Sequence, residues 1–278
     1  MSAPERFDYE AARWGEETIH PGEWSIAGYR LAEALRFLPE RGRVLEVGCG
    51  AGRFLRALAE ARPGLALTGT DVSRGALAEL ARSAPGVETR VSTPDAIPAR
   101  DGEFDAVLLL DVLEHVDDPA GMLAEIRRVL VPGGLLHAHV PCEGDPLSLW
   151  RWLPGQRSAG AWKRRFGGHL QRFRRRDLLA RIEAAGFETL RVRGSLHLIG
   201  NAADVAVFAA LALAARRGAG RSSTGRILAA SRAPGTRASA RLAAGFVRAV
   251  DALLWAEATL LGPLPSWAIH VSARRSDR

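Results

Sequence analysis

Three glycines alternate at Gly48, Gly50 and Gly52, directly after the apolar run Val44-Leu45-Glu46-Val47 and just before a helical pattern that begins near Phe54. Glycine suits a turn where φ is positive or where backbone must approach a ligand closely. The free N–H groups at the start of the next helix favour anionic or polar ligand atoms. The spacing is not that of a dinucleotide loop, G-x-G-x-x-G, because the third glycine comes one residue early and Arg53 holds its place. Further acids, Asp71 and Asp111, close two later apolar runs, and Asp95 lies in a loop after a third. Three histidines, His115, His139 and His169, occur at or beyond the last of these runs. An unperturbed imidazole titrates near ~6.5, which suits a general base at neutral pH. No Cys/His cluster has zinc spacing. The group Asp111, Glu114 and His115 is an alternative, metal-holding reading of the same stretch.

These residues need elements to place them. Leu65 to Asp71 reads as a second strand, and Val87 to Val91 as a short third, followed by the loop Ser92 to Pro98. Phe104 to Asp111 is a continuous apolar run that suits a central strand buried on both faces. Pro119 to Val131 reads as a helix with Pro in its first turn, stopped by Pro132-Gly133-Gly134. A fifth strand follows, then a helix over Arg176 to Ala185 closed by Gly186, and a sixth strand over Glu188 to Arg193. Strands alternating with helices predict an α/β fold with a mostly parallel sheet.

The glycine loop resembles motif I, E/D-x-G-x-G-x-G, of class I S-adenosylmethionine (SAM)-dependent methyltransferases. Asp111-Val112-Leu113-Glu114-His115-Val116 resembles the L-E-H-V signature of the ubiquinone-biosynthesis type, and Leu130 to Leu136 resembles its L-x-P-G-G-x-L step. Gly168 to Leu178 is similar to the family's H-x-x-x-F-s-x-x-x-L segment. The resemblance spans residues 43 to 193. It implies a Rossmann-like, seven-stranded, mostly parallel sheet flanked by helices. It also implies SAM as cofactor and S-adenosylhomocysteine as product. Glu46, Gly48, Cys49, Gly50, Gly52, Asp71, Val72, Asp95, Ala96 and Asp111 are then expected at the cofactor. Asp71 would take the ribose hydroxyls, since a carboxylate accepts the two hydrogen bonds a vicinal diol offers. Asp95 would take the adenine amino group. The acceptor is expected above the fourth and fifth strands, with His139, His169 or His115 as base and no metal needed. Residues 110–113 read Leu-Asp-Val-Leu, without the prolines of the N/D-P-P-Y/F motif, which argues against adenine-N6 and cytosine-N4 methylation.

The remaining sequence bounds the acceptor. Net charge is +7, but residues 1–150 hold 15 Arg against 24 acids, whereas residues 151–248 hold 20 Arg or Lys against 4 acids. A block of one sign attracts partners of the other. A small or lipid-like anionic acceptor is the reading favoured, with O-methylation ahead of N or C. An RNA methyltransferase using the basic half, or a SAM-binding accessory subunit, are the alternatives. Lys163 is the chain's single lysine. Four segments are expected: an N-terminal helical cap (1–42), the SAM-binding core (43–200), a basic helical insertion or lid (201–265) between the sixth and seventh strands, and a final strand with tail (266–278). Within the insertion, Ala202 to Ala215 and Leu242 to Leu261 read as helices around a Gly/Ser/Arg-rich linker. Peripheral contact with a membrane through this insertion is one expectation, and packing on the core is the other. Two cysteines, Cys49 and Cys142, and a polar N-terminus without an apolar h-region point to a cytoplasmic protein, with the inner membrane surface as the peripheral site.

Overall fold

The computed structural model describes residues 7, 10, 17–153, 162–216 and 238–277. The chain opens with α1 (Ile26–Leu35), capped by Ser25, whose hydroxyl accepts from the Gly28 N–H. There follow β1 (Gly42–Val47), α2 (Arg53–Ala61), β2 (Leu65–Asp71), α3 (Arg74–Ser83), β3 (Glu88–Val91) and β4 (Phe104–Leu110). Next come α4 (Pro119–Val129), β5 (Leu130–Pro141), the single turn α5 (Leu149–Trp152) and a wide helical turn at Lys163–Gly167. The described chain closes with α6 (Arg175–Ala184), β6 (Phe187–Leu196), α7 (Leu198–Arg216), α8 (Ala238–Leu261) and β7 (Ala268–Arg275).

Seven strands form one sheet in the order β3-β2-β1-β4-β5-β7-β6. The first five are parallel, and β7 runs antiparallel between β5 and β6. The chain builds outward from β1 to β3, then returns to lay β4 on the other side of β1. That reversal opens a crevice at the carboxyl ends of β1 and β4, the usual ligand position in an open α/β sheet. Side-chain type puts these two strands at the centre. Both are covered on both faces, and their residues Val44, Leu45, Ala106, Val107, Leu108 and Leu109 are all fully buried and apolar.

One face of the sheet packs on α4 and α6 through Leu123, Ile126, Leu178 and Ile182. The other packs on α1, α2 and α3 through Leu31, Leu55, Leu58 and Leu80. A third, aromatic cluster joins Trp150, Phe166, Phe208 and Trp267. Phe208 lies on α7 and Trp267 immediately precedes β7, so the first helix of the segment between β6 and β7 packs on the sheet's own end. The sequence expectation for that helix began at residue 202, and the structure starts it at Leu198. Most of the expected linker, residues 217–237, lies outside the described residues.

Candidate active site at the carboxyl edge of the sheet

The turn after β1 is built by backbone. Gly48, Gly50 and Gly52 have φ of 69°, 54° and 78°. A Cβ on Gly52 would lie 2.3 Å from Leu80 Cδ1, and one on Gly48 would lie 2.5 Å from Val112 Cγ2. Both the φ values and the close approach therefore require glycine. Gly48 N and Cys49 N donate to the Thr70 carbonyl at 2.8 and 3.0 Å, tying the loop to β2. Asp71, ending β2, accepts from Gly50 N at 2.7 Å and from Ser73 N at 2.8 Å, one bond on each carboxylate oxygen. Each oxygen keeps a lone pair, so the carboxylate can still receive a diol. Burial raises its pKa, against the pull of these backbone donors.

Glu46 is buried beside this turn, and its Oε2 has no hydrogen-bond partner. Burial pushes its carboxyl up to about 8, with Asp71 adding to the rise and Arg53 opposing it. A buried carboxyl oxygen without a hydrogen-bond partner next to a glycine loop fits a ligand that brings a positive amino group, as the amino-acid end of SAM does. Glu10 accepts from Ser73 Oγ, Arg74 N and Gly75 N at the head of α3. Glu17 pairs with Arg53. The N-terminal segment thus meets the head of α3 through Glu10 and the first residue of α2 through Glu17. Asp95 and Ala96 are exposed in the loop after β3, and Val72 is 38% exposed at the mouth of the crevice.

The other side of the crevice is built by side chains. Asp111 is, among the described residues, the one non-glycine with positive φ, at 56°. Its carboxylate is held by Arg30 of α1 and lies 2.7 Å from His139 Nδ1. Burial would raise this carboxyl, but Arg30 and His139 overcome it and hold it well below the usual range. His139 is itself lowered, by burial first and by Arg30 second. The counter-ion of Asp111 is therefore Arg30, and His139 is a neutral hydrogen-bonding group. Its Nδ1–H faces Asp111, and its Nε2 lies 2.9 Å from the Ser195 hydroxyl. Beyond it lie His270 and His137, with His137 Nε2 3.2 Å from His270 Nδ1 and His137 Nδ1 2.9 Å from Ser272 Oγ. Burial pushes His137 down to about 3. His139 has both ring nitrogens within hydrogen-bonding distance of protein side chains and is 1% exposed.

His169 is placed differently. Leu170 N and Gln171 N donate to the Glu114 carbonyl at 2.8 and 3.0 Å, which zips its loop onto the turn after β4. His169 and His115 then meet edge to face, with ring centroids 4.8 Å apart. Burial brings His115 down to about 3, and His169 opposes its charging further. Glu114 is raised well above the usual carboxylate range by burial and by Asp111. Glu143, after β5, sits 2.8 Å from His169 Nδ1 and 3.2 Å from Lys163 Nζ. Despite burial, Lys163 and His169 hold Glu143 down to about 2. Lys163 in turn lies 2.8 Å from Asp204 of α7, within a cage of Phe208, Trp150 and Trp267. Trp150 Nε1 donates to the same Asp204 oxygen at 2.6 Å. One ligand atom each from Glu114, His115 and His169 lies within 4.8 Å of the others, a spacing compatible with a divalent cation. Asp111 is not in that group, because Arg30 and His139 occupy it.

The sequence singled out the glycine loop, Asp71, Asp111 and the three histidines, and the structure brings His115 and His169 together while turning His139 inward. It did not find Arg30, Glu143 or Asp204, which carry no local signature. Lys163 had one: it stands alone among 37 arginines.

A seven-stranded sheet of this order, with a glycine turn after its first strand and an acid ending its second, defines a SAM-dependent methyltransferase domain. Residues 24–192 match the family described as Methyltransferase domain, and the chain belongs to that family. Over 157 residues it is 32% identical to the ubiquinone biosynthesis O-methyltransferase of Dinoroseobacter shibae, covering 55% of this chain and 62% of that protein. The enzyme of the same name from Alkalilimnicola ehrlichii is 36% identical over 139 residues, covering 46% of this chain and 55% of that one. The chain spans less than two thirds of the length of these curated relatives. Among solved structures, the cyclase SpnF aligns with a TM-score of 0.56 at 22% identity, over 94% of this chain and 85% of that one. A SAM-dependent methyltransferase from Mesorhizobium loti aligns with a TM-score of 0.54 at 19% identity, over 90% of this chain and 100% of that one. At these identities the likeness is one of fold.

Proposed function

We propose that this chain transfers the methyl group of SAM to a hydroxyl of a small or lipid-like, anionic acceptor. When bound, SAM supplies an electrophilic methyl carbon on a sulfonium. The chain's own residues bind and orient it, place the acceptor in line and accept its proton. In this reading the glycine loop, Glu46 and Asp71 hold the cofactor. Arg30, Asp111 and His139 form a fixed wall at the crevice. His169 Nε2 takes the acceptor proton, with Glu143 behind it to stabilise the resulting imidazolium.

The observation that carries the reading is the pairing, along one sheet edge, of a buried glutamate with one unpartnered oxygen at a glycine loop and a mostly buried histidine beside a carboxylate. The relatives named as O-methyltransferases favour oxygen as the methylated atom. The excess of arginine after residue 150 favours an anionic acceptor. The fold alone does not choose the reaction, as its likeness to a cyclase illustrates.

The test is transfer of labelled methyl from SAM to hydroxylated aromatic acids with and without an alkyl tail, and to total RNA, before and after EDTA. Label on the small acceptors, retained after EDTA, is expected. Label on RNA alone would favour the RNA alternative. Loss with EDTA and recovery with magnesium would move the role of Glu114, His115 and His169 from proton transfer to cation binding.

A further inference from the structure

Several arginines on the cofactor side are matched by acids: Arg36, Arg62, Arg90 and Arg128 each lie within 3.1 Å of a carboxylate oxygen. The segment entering α6 differs. Arg172 and Arg174 are exposed, and among the described residues neither has a carboxylate within ion-pair distance, whereas Arg176 lies 3.7 Å from Asp177. The fold brings these two to Arg151. Gly144 N donates to the Phe173 carbonyl at 2.8 Å, which joins the segment after β5 to the one entering α6. A Cβ on Gly144 would lie 2.9 Å from the Arg172 carbonyl oxygen and 3.4 Å from Arg174 Cγ, so glycine permits this close approach. Arg151 Nη1 donates to the Gly144 carbonyl at 3.3 Å, and Arg172 Nη2 to the Trp150 carbonyl at 3.4 Å. Phe173 enters the core between the two arginines, leaving both on the solvent side. Asp145 is the acid built into this corner, and its two oxygens accept from Leu147 N at 3.1 Å and Arg175 N at 3.2 Å. Arg151 also lies over the Trp152 ring, 5.6 Å from its centroid, and that indole is 67% exposed.

Both segments that carry these arginines also carry the proposed proton acceptor and its carboxylate. Glu143, the neighbour of Gly144, lies 2.8 Å from His169 Nδ1, and Arg172 follows His169 by three residues. The stretch between them is pinned, since Leu170 N and Gln171 N donate to the Glu114 carbonyl and Gln171 Nε2 donates to the Val116 carbonyl at 3.0 Å. The offset between His169 and the arginine corner is therefore fixed by hydrogen bonds to backbone. A carboxylate offers two oxygens to one guanidinium fork. A phosphate monoester offers three oxygens and a second negative charge, which matches a corner where several guanidinium groups meet. An exposed indole beside them suits a ring that carries the phosphate.

We propose that Arg151, Arg172 and Arg174 form a subsite for a phosphate monoester carried by the methyl acceptor, a small soluble molecule with a free hydroxyl. The inference rests on the methyl-transfer reading above and deepens it, by naming the anion. The phosphate takes no part in the transfer. Held at the Gly144 corner, it decides which hydroxyl is presented to His169.

The experiment is calorimetric titration of the full chain with phenyl phosphate and with benzoate. Two double variants accompany it. Arg172→Gln with Arg174→Gln strips the corner, and Arg164→Gln with Arg165→Gln removes the same charge from two exposed positions in the preceding turn. The native chain is expected to bind phenyl phosphate about tenfold or more tightly than benzoate. The corner variant should lose about tenfold or more of that affinity, while the turn variant keeps it and SAM affinity is unchanged in all three proteins. Should the corner variant fail to fold, Arg172→Gln and Arg174→Gln singly carry the same test. Equal binding of the two probes, no binding of phenyl phosphate by the native chain, or equal losses in the two double variants overturns the proposal, the last because net charge alone would then account for binding. Binding of RNA without binding of phenyl phosphate overturns it too. With hydroxyphenyl phosphate as acceptor, the corner variant should raise KM and leave kcat nearly unchanged. Label transfer without phosphate binding fails the subsite alone, and phosphate binding without label transfer to any acceptor fails the methyl-transfer reading alone.

Discussion

The two sides of the crevice are made of different material. Around β1 and β2 the site is backbone: three glycines with positive φ, N–H groups donating to Thr70 and Asp71, and a strand-end carboxylate. Around β5 and β7 it is side chain: Asp111 held by Arg30, His139 braced by Ser195, and His169 backed by Glu143, Lys163 and Asp204. Backbone sites are set by local order along the chain and tolerate change elsewhere. Side-chain sites are assembled from distant segments, and each member depends on its partners. The first side should fail one function at a time, and the second should fail in stability and catalysis together.

The largest effect is expected at Lys163. Lys163→Met leaves Glu143 and Asp204 without their shared cation, and breaking a buried ion pair costs about 3–5 kcal/mol. Urea unfolding measures this, and a loss under about 1 kcal/mol would show that water already screens the cage. His169→Gln comes next. Turnover should fall by about a hundredfold or more, the usual worth of a general base, while calorimetry finds SAM affinity unchanged. Normal turnover in that variant would leave positioning as the whole of catalysis.

On the backbone side, Asp71→Ala should weaken SAM by about 1–3 kcal/mol with little change in turnover at saturating cofactor. Unchanged affinity would remove Asp71 from the cofactor site. The smallest effect is a proton. Glu46 titrates at about 8 in the free protein, above its unfolded value, so its contribution to stability is complete below about 4.5 and declines as pH rises through 8. A cofactor ammonium would favour the carboxylate and lower that pKa. SAM binding at neutral pH should therefore release a proton, and affinity should rise a few-fold between about pH 6 and 8. Calorimetry in buffers of different ionisation enthalpy detects the release, and Glu46→Gln should abolish it.

The same contrast explains what could be read from sequence. The glycine spacing, Asp71 and the order of strands were legible because the chemistry and the fold there share one short segment. A final strand after the insertion was expected within residues 266–278, where β7 lies, but its place and register between β5 and β6 carried no signal in the sequence. The orientation of His139 was not legible. Whether it faces an acceptor or the interior depends on Arg30, 109 residues earlier, and on Ser195, 56 residues later. Nor did the helical period of residues 202–215 reveal which side of α7 would meet the sheet, because that helix is apolar on both. Asp204 decides it, through a lysine 41 residues upstream.

Lys163 has one more consequence. The remaining 37 basic residues of the chain are arginine, and the single lysine ammonium is buried under three aromatic rings. Amine-directed acylating reagents therefore meet no lysine on the folded surface, and a lysine-specific protease meets one cleavage site that is shut. Either reagent becomes a clock. The rate at which Lys163 is acylated, or its peptide bond cut, reports how often α7 lifts from the end of β7, with no engineered label needed. Ligands that hold α7 down should slow that clock, and those that act only at the glycine loop should leave it running at the same pace.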